Sequence, residues 1–92
     1  MQIIYNDKFN RRTDEIISFI WQDSPARALK FYDDLLETIE RVAYMPRKHR
    51  KSTTANDERI RDLIFKKYVI PFLIDEENDT IEILSIYGRN LP

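Results

Sequence analysis

Halfway along the chain the apolar residues change period, and that change limits the fold more than any motif does. Up to Tyr44 they recur at helical spacing. In "PARALKFYDDLLETIERVAY" (25–44), Ala28, Tyr32, Leu35, Ile39 and Val42 step four, three, four, three, with Leu29, Leu36 and Ala43 alongside. That pattern predicts a helix with a broad buried stripe. From Arg59 onward the apolar residues come in short runs rich in Ile, Val, Tyr and Phe: "RIRDLIF" (59–65), "YVIPFLI" (68–74) and "TIEILSIY" (80–87). These read as strands. A chain that is helical first and extended afterwards has one economical way to cover both apolar surfaces, which is to lay the helices on the sheet.

The punctuation fixes the connections. "QIIY" (2–5) reads as a short strand, and Asn6-Asp7 after it can cap a helix. Phe9, Ile16, Ile17, Ile20 and Trp21 then mark one face of a helix from Asp7 to about Gln22. Ser24 is a good N-cap and Pro25 suits the first helical position, so a second helix starts there at once and runs to about Tyr44, before Pro46. So short a turn makes the two helices an antiparallel hairpin. "DEENDT" (75–80) is an acidic turn that joins the last two strands, and "TIEILSIY", apolar on both faces, is expected to be central. Pro71 cannot donate to a ladder, which predicts an edge or a bulge. The expected architecture is α+β, in the order β-α-α-β-β-β. One domain over residues 1–92 is expected, with a helical hairpin on one face of a small antiparallel sheet.

Composition removes several chemistries. There is no cysteine, so disulfides, thiolate catalysis and Cys-based metal sites are excluded, and a reducing compartment fits. A single histidine and no suitably spaced carboxylates leave no metal motif, and a single glycine excludes a phosphate-binding loop or dinucleotide fingerprint. No stretch resembles a signal peptide or a membrane span. A cytoplasmic domain without cofactor, metal or membrane attachment is expected.

Charge is where the sequence departs from the ordinary. "PRKHRKS" (46–52) places Arg47, Lys48, His49, Arg50 and Lys51 in a row in a chain whose net charge is −1. Between Pro46 and Lys67, eight cations, including Arg59, Arg61, Lys66 and Lys67, face three carboxylates, a net of +5. The acidic residues gather instead on the second helix and in the 75–82 hairpin. Such segregation points to a phosphate-tracking surface, or to a loop that is only solvated. Strict alternation puts Ile81, Ile83, Ser85, Tyr87 and Arg89 on one face, and Arg59 and Arg61 share a face of the first meander strand. If those faces coincide, guanidiniums and a phenol form a cleft able to bind a phosphodiester and stabilise charge developing at phosphorus. The alternative is structural: Tyr87 caps the sheet and Arg89 pairs with Glu82 or Glu58. His49 is the one side chain that titrates near neutrality, although four neighbouring cations favour its neutral form.

"DSPARALKFYDDLLETIERVAYMP" followed by "IRDLIFKKYVIPFLIDEENDTIEILSIYGRN" resembles the RelE/ParE superfamily, the toxic halves of bacterial type II toxin–antitoxin pairs. The resemblance runs from about Ile3 to Asn90. It implies the same order of elements and a cognate antitoxin that wraps the toxin. It also implies one of two targets. RelE-type members cut mRNA on the ribosome without metal, whereas ParE-type members poison DNA gyrase. On the first reading Arg89 and Arg61 hold phosphate, Tyr87 protonates the leaving oxygen, and Arg47, Lys48, His49, Arg50, Lys51, Arg59, Lys66 and Lys67 bind nucleic acid. The arginine that follows the tyrosine in RelE-type proteins is Val69 here, which pulls toward the ParE side. An amphipathic antitoxin segment is expected in an apolar groove, with Phe19 and Phe31 as candidate lining and its acidic residues meeting the 47–51 loop.

Overall fold

A computed structural model of the chain describes residues 1–89. Strand β1 (Gln2–Tyr5) leads into helix α1 (Asp7–Asp23), and α2 (Pro25–Val42) follows after a single residue. A short 3₁₀ turn (Pro46–Lys48) precedes β2 (Arg50–Lys51), β3 (Ile60–Phe65), β4 (Tyr68–Asp75), β5 (Thr80–Ile83) and β6 (Tyr87–Gly88). Both helix starts are capped as the sequence predicts. The Asn6 side chain accepts from the Lys8 amide at 2.8 Å and the Ser24 hydroxyl from the Arg27 amide at 3.2 Å. Each satisfies an amide that has no partner within its helix.

The sheet runs β1-β5-β4-β3-β2, with β6 also on β4. It is mixed rather than purely antiparallel, because β1 pairs with β5 in parallel. Both helices and strands β2 to β4 intervene between them, the long connection that a chain needs to return beside a strand in the same direction. One face carries the core. Leu63, Phe65, Ile70, Phe72, Ile74, Ile81 and Ile83 point from it toward Phe9 of α1 and Phe31, Leu35, Ile39 and Val42 of α2. The buried stripe of α2 is rotated slightly from the one the spacing suggests. Phe31 takes the core position, edge-on to Phe65 and Tyr68 at 5.4 and 5.8 Å, while Tyr32 and Leu29 are exposed. Spacing alone cannot choose between adjacent apolar residues; the aromatic pocket of the β3–β4 turn does. Phe31 therefore belongs to the core and not to a docking groove, whereas Phe19 is 77% exposed.

Pro71 lies in a central strand, not at an edge. The Leu84 amide donates to its carbonyl at 2.9 Å, so its nitrogen faces the same neighbour, at the point where β5 stops and β6 has not begun. The ladder is broken where a proline has nothing to give. The break also contains one extra residue. Val69 to Phe72 on β4 opposes Tyr87 to Ile83, three steps against four. This is a bulge, and it moves every later side chain to the other face. Ile81, Ile83 and Ile86 are all buried on the helix side, which leaves Tyr87 on the open face beside Val69. Among the described residues, no helix is long and apolar enough to cross a membrane.

Candidate functional site

The bulge separates residues that strict alternation had joined. Arg61 is paired with Phe72 and faces the helices. There its Nη1 donates to the His49 carbonyl at 3.1 Å, and its buried Nε has no partner among the described residues. Tyr87 and Arg89 are on the opposite side. The cleft of Arg59, Arg61, Tyr87 and the 47–51 loop does not form.

The basic run is also largely neutralised where it stands. Arg47 pairs with Glu76, Lys51 with Glu58 at 3.1 Å, and Arg50 with Asp62 at 3.5 Å. Asp62 is fully buried, takes the Thr53 amide at 3.4 Å, and leaves one oxygen without a partner among the described residues. Arg59 grips Asp57 with Nε and Nη2 at 3.2 and 2.8 Å. Hydrogen bonds from Arg59 hold the Asp57 carboxyl below its ordinary range, and the same bonds raise the guanidinium. Exposed pairs of this kind add little stability, about 0–1 kcal/mol each, but they cancel the field that the sequence alone suggests. His49 is half-buried with its ring edge-on to Phe72 at 5.6 Å. Burial first, and then Lys48, lower its pKa.

What remains on the open face is a pair of adjoining grooves. The larger, about 580 Å³, runs over Ile60, Pro71 and Leu84, with Tyr87, Lys8 and Arg12 at its walls. The second, about 390 Å³, is bounded by Arg50, Lys66, Lys67 and Arg89 around Val69. They meet at the Val69–Tyr87 pair, and the Arg89 amide ties β6 to the Lys67 carbonyl at 2.8 Å. Lys66 leans over Phe31 and Phe65 and lies 3.7 Å from Asp34. Lys67 and Arg89 have no carboxylate within ion-pair distance among the described residues, and neither do Lys8 and Arg12. Lys8 and Arg12 escaped the sequence reading. Lys8 carries a legible signal, a cation in the first turn of α1 where the helix dipole disfavours positive charge, and Arg12 follows four residues on, on the same helix face.

The model of one protein family matches residues 3–90, almost the whole chain: the ParE toxin of type II toxin–antitoxin systems, parDE. The chain belongs to the ParE toxin family. A solved structure of the chromosomal ParDE TA system from P. aeruginosa shares the fold, with a TM-score of 0.77 at 20% identity over 96% of this chain and 95% of that one. No curated protein matches the sequence. Membership in the ParE family agrees with the resemblance read from the helical hairpin and the closing strand. Among the described residues of this ParE-family chain, no three His, Cys, Asp or Glu side chains gather to hold a metal.

Proposed function

We propose that this ParE-family toxin arrests growth by inhibiting DNA gyrase in the cytoplasm, and that a cognate antitoxin neutralises it. The observation that carries the choice is the position of Arg61 on the helix side of the sheet, away from Tyr87 and Arg89. A ribosome-dependent nuclease of the RelE kind needs its phosphate ligands and its proton donor around one phosphodiester. Here one arginine is behind the sheet, Arg59 is committed to Asp57, and Val69 fills the place of another arginine. Inhibition by binding needs no such convergence, and the family match supports the same side.

The antitoxin reading rests on the family and on surface chemistry. Tyr44 and Met45 are 85% and 63% exposed just beyond α2. The grooves flanking them also present Lys48, which has no carboxylate within ion-pair distance among the described residues, beside Arg41 and Arg47, which are paired with Glu37 and Glu76. An amphipathic segment with acidic residues suits that combination. The test is a pair of assays on purified protein: gyrase supercoiling, and reconstituted translation of a defined mRNA with its ends mapped. Loss of supercoiling with intact mRNA is expected. Ribosome-dependent cuts with unimpaired supercoiling would overturn the choice of target.

A further inference from the structure

The four cations Lys8, Arg12, Lys67 and Arg89 belong to distant parts of the chain, yet all line the two adjoining grooves of the open sheet face. From the charges and the floor between them we infer that this face is a nucleic-acid track, holding the phosphodiester backbone rather than reading base edges.

Three observations support this. First, neither groove is lined by a carboxylate. Of the open-face carboxylates, Glu82 is tied to the Asn6 side chain at 2.9 Å beside the larger groove, and Asp62 lies buried under Arg50. The protein is acidic overall, with a pI near 5.8, so an uncompensated line of cations is a local arrangement and not a by-product of composition.

Second, the β3–β4 turn is built against its own stability. Its two residues are Lys66 and Lys67, and Lys66 has φ 53°. An L-residue in the left-handed region costs about 1–2 kcal/mol, which glycine or asparagine would avoid. Two adjacent like charges add repulsion. Both lysines border the second groove, and Lys67 has no carboxylate within ion-pair distance among the described residues.

Third, the groove floor is not uniformly polar. Tyr87, Pro71 and Leu84 offer a phenol ring and apolar surface between the two cationic ends. Sugars and unstacked bases use such a surface, while phosphates meet the guanidiniums and ammoniums. The glutamates of an acidic peptide would leave that ring without a matching group. The two ends lie across the sheet, at the end where β1 and β5 finish. Two to three strand spacings separate β1 from the β3–β4 turn, a span of about 10–14 Å.

The test is fluorescence anisotropy of a labelled mixed-sequence oligonucleotide, single-stranded and duplex, titrated with purified protein over a range of salt. Four engaged cations predict that affinity falls about 50-fold between about 50 and about 200 mM salt for a single strand, and about 150-fold for a duplex. Removing two of them, as Lys67→Gln/Arg89→Gln or as Lys8→Gln/Arg12→Gln, should reduce those factors to about 7 and about 12. Arg47→Gln/Lys48→Gln, at the opposite end of the sheet, should leave them unchanged. Circular dichroism of each variant separates loss of binding from loss of fold. No binding of either oligonucleotide at the lowest salt overturns the inference. So does binding whose salt dependence follows only the Arg47/Lys48 pair, and so does a poly-glutamate peptide that displaces the oligonucleotide at lower concentration than unlabelled oligonucleotide does. Binding is measured without gyrase, so the result stands apart from the choice of target.

Discussion

Replacing Arg61 by Met tests the face assignment on which the functional choice depends. The guanidinium is half-buried on the helix side, pairs across the sheet with Phe72, and makes one hydrogen bond, from Nη1 to the His49 carbonyl at 3.1 Å. Its Nε–H is buried without a partner among the described residues. An orphaned donor costs about 1–3 kcal/mol, and the single bond returns about 1 kcal/mol. Methionine keeps most of the aliphatic stem in its packing and brings no donor. His49 as a residue is only half-buried, so its carbonyl is expected to turn to water. Arg61→Met should therefore stabilise the protein by about 1 kcal/mol, which for a domain of this size raises Tm by about 4–8 °C. Thermal and urea unfolding measure that part. Induced expression in a sensitive strain measures the other, where growth arrest should match that of the parent. A fall in Tm would refute the energetic argument. Lost arrest in a variant of undiminished Tm would refute the placement, since it would make Arg61 a group that meets the target.

Three further outcomes follow from particular contacts. Phe31→Ala should cost about 3–5 kcal/mol in urea unfolding because it empties a site against Phe65 and Tyr68, whereas Phe19→Ala should change stability by less than about 0.5 kcal/mol. Ser24→Ala should cost about 1 kcal/mol by freeing the Arg27 amide at the start of α2, with helix content by circular dichroism otherwise unchanged. His49 has a folded pKa lowered by burial and then by Lys48, so the unfolded chain takes up its proton first. Its contribution is complete above the unfolded value of about 6.5 and declines as pH falls through the folded pKa. Denaturation midpoints between neutrality and pH 5 should drop in the parent and flatten in His49→Gln. The carboxyls of Asp57 and Asp75, held low chiefly by hydrogen bonds from Arg59 and Asn78, act in the same direction only at more acid pH.

What the chain determined by itself was local or periodic. The change of apolar period, the Asn6 and Ser24 caps, Pro25 at the second helix start and the acidic turn at 75–80 each act within a few residues, so they could be read without a partner. The α+β order of elements followed from them. The parallel β1–β5 pair, the Tyr87 face and the fate of the basic run were decided only in three dimensions. One inserted residue between Ile83 and Tyr87 reverses a face, and nothing in "ILSIY" marks it until Pro71 is laid alongside. Charge behaves the same way: Arg47 is quenched by Glu76, twenty-nine residues away, while Lys8 and Arg12 stay uncompensated and meet Tyr87 from the other end of the chain. Side-chain periodicity is a property of one strand or helix. Register and ion pairing belong to two segments at once, and only the folded sheet chooses which two.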